Sequence, residues 1–245
     1  NLRLPNAPGG TGQASGGSID GTVFIIWDES FPPTPWPNAY RFSAMSPPMG
    51  TFTRIDGDPL YSNFGEEMLG GLDFSGDGFA ELFVGDLIAS PEGRIAAGIG
   101  YVIYNAANLK GLSFRINAPP TDVFVTTIFG PRPSAIGGDT AAQGDFDGDG
   151  INDLAFGIPG DSPQQRAKAG SLHLFYGQPG GWPEFVNLRP DTNGFQDVYP
   201  SPQIMRIAEI QGAHGTEESN TGDTLGYSGT AADIDRDGRT DLIIN

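Results

Sequence analysis

Three nine-residue stretches of this 245-residue chain carry side chains suited to holding a cation. They are Asp73-Phe-Ser-Gly-Asp-Gly-Phe-Ala-Glu81, Asp145-Phe-Asp-Gly-Asp-Gly-Ile-Asn-Asp153 and Asp233-Ile-Asp-Arg-Asp-Gly-Arg-Thr-Asp241. Side chains at positions 1, 3 and 5 converge on one hard cation if the chain curls tightly. Position 7 offers its backbone carbonyl, and a carboxylate at position 9 closes the shell. Such an all-oxygen shell of about six to eight donors suits Ca2+ better than Mg2+, which demands a strict octahedron. The expected ligands are Asp73, Ser75, Asp77, Phe79 and Glu81; Asp145, Asp147, Asp149, Ile151 and Asp153; Asp233, Asp235, Asp237, Arg239 and Asp241. About three calcium sites are therefore expected. The first loop departs most, with Ser75 in place of a carboxylate and the longer Glu81 at position 9.

EF-hand and dockerin loops begin the same way but need an acid at position 12 and flanking helices. Position 12 here is Val84, Phe156 or Ile244, each inside an apolar run. Read singly, each stretch could be only a polar turn; three copies in register, each leading into an apolar run, favour the metal. The loops also hold eleven of the 30 acidic residues, and such crowding without a cation is unfavourable because like charges resist joint ionisation. Three calcium ions would offset six of the 17 net negative charges.

Other chemistry finds less support. His173 lies in a strand-like run, in register with Phe24, and His214 lies in a loop next to Glu217 and Glu218. There is no His-Glu-x-x-His, no Gly-x-Ser-x-Gly and no phosphate loop, so the chain is expected not to be an enzyme. Glycosidase-type carboxylate pairs are not singled out by any pattern. The absence of Cys removes disulfides and thiolate sites. A formal charge of −17 argues against nucleic acid, which needs a basic footprint, and against an anionic membrane surface. No apolar run reaches spanning length. Trp27, Phe31, Trp36, Tyr40 and Phe42 lie among prolines, where they either pack a long loop or stack on sugars or a partner; Trp182 invites the same two readings.

The elements that must position the loops are short. Gly (37) and Pro (21) punctuate runs such as Thr22–Trp27, Tyr101–Tyr104 and Ser171–Tyr176, rich in β-branched and aromatic residues. Many short strands with frequent turns imply an all-β sandwich, barrel or propeller. Two markers travel with the acidic loops: a Gly before an apolar strand at Gly21, Gly100 and Gly170, and Phe64-Gly65, Ile136-Gly137 and Leu225-Gly226 ahead of each loop. Taking Asn1, Glu81, Asp153 and Asp241 as equivalent gives repeat units of about 1–80, 81–152 and 153–240, with 241–245 opening the next, within a single segment 1–245. Ser30–Pro48 and Gly177–Gly212 read as loops inserted into the units.

These residues resemble the FG-GAP repeat: Phe64-Gly65, the Asp-x-Asp-Gly-Asp-Gly-x-x-Asp loop and Gly157-Ile158-Pro159. That repeat builds the N-terminal β-propeller of integrin α-subunits and of many bacterial exported proteins. Val186–Phe195 and Gly222-Asp223-Thr224-Leu225-Gly226 look like the bacterial branch. The resemblance implies blades of four-stranded antiparallel sheet, with calcium in a hairpin loop on the face opposite the usual ligand-binding face. Arg236, standing where Gly76 and Gly148 stand, is a departure. Usual propellers have about four to eight blades, so three units imply a partial propeller, continued in further sequence or completed by other chains. The expected function is an extracellular, secreted or cell-surface module for binding, adhesion or structure, whose partner is a protein or glycan. The alternatives are a subunit of a larger extracellular assembly and the propeller part of a secreted hydrolase. A start at Asn1, without initiator Met or signal sequence, reads as a processed or excised piece.

Overall fold

Apolar runs bounded by Gly and Pro become strands throughout the computed structural model, which describes residues 21–27, 52–58, 63–189, 205–219 and 221–245. The Ser30–Pro48 insertion, the aromatic residues Phe31, Trp36, Tyr40 and Phe42, and the Pro190–Phe195 end of the bacterial-type motif lie outside the described residues. Among the described residues there are fourteen strands, three short 3-10 turns and one single-turn α-helix, α1 (Thr216–Ser219), so the chain is nearly all-β.

The best-defined sheet is an antiparallel meander of β3 (Phe64–Leu72), β4 (Glu81–Asp86), β5 (Ile99–Ile103) and β7 (Val125–Phe129). A second meander repeats it with β8 (Ala141–Gly144), β9 (Asp153–Ile158), β10 (Ser171–Phe175) and β12 (Ile207–Gln211). Their registers agree: Asp86 pairs with Ile99 as Ile158 pairs with Ser171. On one side lies the β1 (Thr22–Ile26) and β2 (Phe52–Asp56) pair; on the other, the hairpin of β13 (Gly229–Ala232) and β14 (Asp241–Ile244). These are blades of a β-propeller, with His173 holding in β10 the position Phe24 holds in β1.

Two of the sheets also receive a strand from the blade that follows. β6 (Ser113–Arg115), between β5 and β7, pairs in parallel with β2. β11 (Phe185–Asn187), between β10 and β12, pairs in parallel with β7. Backbone bonds flank both junctions, from Ile116 N to Asp56 O and from Leu188 N to Phe129 O.

The core lies between blades. β9 is buried along its whole length because a sheet covers each of its faces. Phe83 and Phe156, both without exposure, meet edge to face across the blade boundary at 6.1 Å, and Phe156 meets Phe175 at 5.9 Å. Fully burying such a ring contributes about 1.5–3 kcal/mol. Val23, Ile55, Phe64, Val84, Tyr101 and Phe114 form the corresponding cluster one boundary earlier.

Backbone contact between blades explains two sequence markers and corrects their alignment. A Cβ on Gly21 would lie 1.7 Å from Phe64 O; on Gly98, 2.2 Å from Gly137 O; on Gly170, 2.3 Å from Leu225 O. Glycine is therefore required where the next blade's entry strand touches the third strand's approach. The equivalent of Gly170 is Gly98, two residues before Gly100. Gly100 serves another end, since a Cβ there would strike the rings of Phe156 and Phe83. Likewise Gly138, with φ +86°, matches Gly65 and Gly226, so Gly137 takes the place of Phe64 and Leu225. The extra residue between Gly65 and Asp73 is absorbed by a register shift between Gly70 and Leu72.

Candidate metal centres

Each acidic stretch joins the first strand of a blade to the second: β3 to β4, β8 to β9, β13 to β14. Glu81, Asp153 and Asp241 are the first residues of those second strands, so position 9 is held by a sheet. The loop curls around the position 1 carboxylate. Asp73 accepts from the N–H groups of Asp77 and Gly78 at 3.1 and 2.7 Å. Asp145 accepts from Gly148, Asp149 and Gly150 at 2.7, 3.1 and 3.0 Å, and Asp233 from Asp237 and Gly238 at 3.1 and 3.0 Å. Gly78, Gly150 and Gly238 have φ of +86°, +89° and +91°, the left-handed turn expected at position 6.

The same internal bond recurs at the loop's mouth. The position 9 carboxylate accepts the position 2 N–H: Phe74 to Glu81, Phe146 to Asp153 at 2.8 Å, and Ile234 to Asp241 at 2.8 Å. Asp153 also accepts from Gly177 N at 2.7 Å, and Glu81 from the Ser75 hydroxyl at 3.2 Å. Burial pushes the Glu81 and Asp153 carboxyls up to about 6 despite these bonds, and neighbouring carboxylates push the same way. Burial also acts to raise Asp73, but the N–H groups of Gly78, Asp77, Gly76 and Ser75 hold it below the usual range.

Carboxylate oxygens of Asp73, Asp77 and Glu81 lie within 4.8 Å of one another, as do those of Asp145, Asp147 and Asp153, and of Asp233, Asp235 and Asp241. Positions 1 and 9 thus converge in every loop, with position 3 in the second and third and position 5 in the first. Ser75 joins the first group through its bond to Glu81. Asp149 and Asp237 instead accept the N–H of Ile151 and Arg239 at 2.9 and 2.8 Å, as Asp77 accepts that of Phe79 at 2.8 Å. The donors are oxygens, mostly anionic, and among the described residues the only basic side chain paired with them is Arg206, 2.9 Å from Asp147. This donor set fits a hard divalent cation.

Some contributors had no signal within the nine-residue pattern. Arg206 also lies over the Tyr176 ring, 4.4 Å from its centroid. Phe74 stacks on Trp182 at 5.4 Å, and Trp182 is buried with its indole N–H on Tyr176 O at 2.8 Å, so it packs the core. The loops are also linked to one another: Asn152 N donates to Asp73 O and Thr240 N to Asp145 O, both at 3.1 Å. The repetition of position 8 bonding position 1 of the preceding loop is legible only in three dimensions. Arg236 adopts φ +65°, as Gly76 and Gly148 do at the same place.

Among the described residues, neither histidine belongs to the three acidic clusters. His173 is fully buried, 3.5 Å from the Ser171 hydroxyl, which donates to Asp161 at 2.7 Å. That trio superficially suggests acyl-transfer chemistry, yet all three residues are sealed from solvent, and the hydroxyl proton is directed at the carboxylate. His214 is exposed; its backbone N–H donates to Asp223 at 2.8 Å, and its ring Nδ1 lies 3.5 Å from the same carboxylate.

Comparison with known proteins agrees with this architecture. Residues 137–175, which span the second acidic loop and β8 to β10, match the FG-GAP repeat, so the chain carries the repeat its sequence resembles. Phosphatidylinositol-glycan-specific phospholipase D of Mus musculus is 31% identical over 177 residues, which cover 71% of this chain and 17% of the relative. The protein of that name in Homo sapiens is 29% identical over 178 residues, 70% of this chain and 17% of the relative. That of Dictyostelium discoideum is 26% identical over 182 residues, 70% of this chain and 19% of the relative. The chain thus spans under a fifth of the length of these curated relatives.

Proposed function

We propose that this chain is a calcium-binding segment of a β-propeller exposed outside the cell, acting as a binding, adhesion or structural module. The observation that carries the reading is the threefold recurrence of one geometry: carboxylates from positions 1 and 9 brought together across the mouth of each blade's first hairpin, with the position 2 N–H fixing position 9. Asp73, Ser75, Asp77 and Glu81, then Asp145, Asp147 and Asp153, then Asp233, Asp235 and Asp241 would hold the ions. The carbonyls of Phe79, Ile151 and Arg239 and the carboxylates of Asp149 and Asp237 complete the proposed sets. Calcium supplies charge neutralisation and a tie between the two strands that flank each loop; the role is structural. Extracellular calcium is millimolar, matching the weak sites of about 10⁻⁴–10⁻³ M typical of extracellular modules. The partner is a protein or glycan at the cell surface, and the net charge disfavours nucleic acid.

The comparisons favour a second reading of the same module. The relatives are named as phospholipases, so this segment would be the propeller part of a larger secreted hydrolase, non-catalytic in itself. Calorimetric titration of calcium into chelator-stripped protein tests the central claim. About three weak sites and a raised melting temperature are expected; no binding and an unchanged melt would refute it. A glycan array with and without chelator then tests the binding role. Calcium-dependent capture supports it, and silence on both glycans and cell-surface proteins counts against it.

A further inference from the structure

At the opposite end of the blades from the acidic loops lies a cavity of about 340 Å³. Glu92 and Arg94 from the β4–β5 connection, Pro131, Arg132 and Pro133 after β7, and Arg189 after β11 line it. Three guanidiniums around one cavity are unexpected in a chain with 13 basic and 30 acidic residues. Arg132 is partly satisfied: its Nη1 donates to Ser162 O at 2.8 Å and its Nε forms a close ion pair with Asp161 at 2.7 Å, while Nη2 has no hydrogen-bond partner.

Arg94 is different. Its side chain is 11% exposed, and Nε, Nη1 and Nη2 are all buried without a hydrogen-bond partner. The nearest carboxylate oxygen, on Glu92, stands 3.4 Å from Nη1, and the Asn187 amide donates to that same oxygen at 3.1 Å. A buried charged group left without hydrogen bonds costs more than a neutral one, and the long ion pair with Glu92 supplies none, so the Arg94 guanidinium is a strong site for an anion.

The next blade supplies an internal control. Ser90-Pro-Glu-Gly-Arg94-Ile-Ala-Ala-Gly98 recurs as Ser162-Pro-Gln-Gln-Arg166-Ala-Lys-Ala-Gly170, with the same three-residue 3-10 turn. There Arg166 is satisfied: Nε donates to Gly212 O at 3.0 Å, Nη1 to Gln164 at 2.8 Å and Nη2 to Gln211 at 2.8 Å. Pairing with the third strand places Phe129 opposite Ile99 where Gln211 stands opposite Ser171. The first copy therefore lacks the amide that closes the second.

We infer that this cavity is an oxyanion site, in which the Arg94 guanidinium takes a carboxylate or a phosphate or sulfate ester, with Arg189 and Arg132 adding positive charge. A guanidinium offers these groups two parallel N–H donors. The cavity leaves room for the moiety that bears the anion, against Pro131 and Pro133. Glu92, half exposed, opposes the ligand by charge. The inference is independent of the calcium reading.

The test follows arginine Nε–Hε resonances and calorimetric heat while the chain is titrated with sodium sulfate, methyl phosphate or sodium acetate at constant ionic strength. Saturation at Arg94 without a response at Arg166 is expected, and the order of affinities distinguishes the tetrahedral esters from carboxylate. Arg94→Gln should weaken binding about tenfold or more, the loss of a charge-assisted hydrogen bond. Arg166→Gln should leave it within about twofold, since Arg166 is already paired. Glu92→Gln should tighten it. Phe129→Gln, which restores the missing amide without changing any charge, should weaken it; this variant and Glu92→Gln decide the matter if Arg94→Gln does not fold. An Arg94 signal that never saturates, or unchanged affinity in Phe129→Gln and Glu92→Gln, would overturn the inference.

Discussion

Asp147→Asn separates a metal-held loop from a merely polar one. In the absence of metal the substitution removes little. Asn retains an Oδ1 acceptor for Asp149 N, 3.2 Å away, and the lost ion pair with Arg206 involves a guanidinium side chain that is 63% exposed. An exposed pair of this kind is worth about 0–1 kcal/mol, and removing one of four crowded carboxylates offsets part of that. Metal-free stability should therefore stay within about 1 kcal/mol of the parent. With calcium the outcome differs, because Asp147 belongs to the converging group of the second loop. A site of about 10⁻⁴–10⁻³ M, at about 2 mM free calcium, contributes about 1–2 kcal/mol by mass action. Three such sites contribute about 2–5 kcal/mol, a rise in melting temperature on the order of 10 °C for a chain of this length. Asp147→Asn should forfeit about a third of that rise, and calorimetry should count one site fewer. Thermal melts of both proteins, in chelator and in 2 mM calcium, give the four numbers needed (roughly the level of extracellular modules). An identical calcium-dependent rise in the two proteins would refute the assignment, as would equal destabilisation with and without metal.

Three other expectations follow. Gly157→Ala would place a Cβ 2.2 Å from Gly226 O in the next blade and should cost about 1–3 kcal/mol, whereas Gly70→Ala, whose nearest neighbour would be a Leu82 methyl at 3.8 Å, should be tolerated; chemical denaturation compares them. Burial lowers His173 to about 3, so its folded pKa lies below the unfolded value. Stability is then fully present above about pH 6.5 and falls as pH drops from there towards 3, at up to about 1.4 kcal/mol per unit, because only the unfolded chain takes up the proton. His173→Phe, the residue at the equivalent position in β1, should flatten that slope in metal-free melts between pH 6 and 4 (roughly the middle of the window); an unchanged slope would disprove the assignment. Arg236→Gly should stabilise the third loop by about 1 kcal/mol, since only Arg236 carries a Cβ into a left-handed turn that Gly76 and Gly148 occupy freely; a lower melting temperature would contradict this.

The acidic loops were legible because their chemistry is local. Curling nine residues around Asp145 needs only short-range N–H groups and a left-handed Gly150, and both are written into consecutive residues. Positions 1 and 9 could be read for the same reason. Position 5 was harder, since whether Asp149 turns to a cation or to the Ile151 N–H depends on a competition that spacing does not reveal. Strand runs such as Thr22–Ile26 and Ser171–Phe175 were also local. Alignment of Gly100 with Gly170 failed because the requirement for glycine comes from another blade: Gly98 is fixed by Gly137 O, while Gly100 is fixed by two Phe rings. The parallel strands β6 and β11 were invisible for a related reason, as three residues carry little periodicity and their partners lie a blade away. Arg94 had a signal after all, the Ser-Pro-x-x-Arg-x-x-Ala-Gly echo, but its significance rests on Phe129 replacing Gln211.

Because β6 and β11 are lent backwards, no repeat can be lifted out as a self-contained part. Scission at Gly144, just before the second acidic loop, would strip the upstream sheet of its rim strand and leave the Thr127 and Leu188 junctions open. Swapping, shortening or multiplying units by recombination would have to move each lent strand together with the sheet it completes. During synthesis the β3–β7 blade remains unfinished until its successor has emerged to the end of β11, so neighbouring blades join as overlapping shingles rather than as finished tiles.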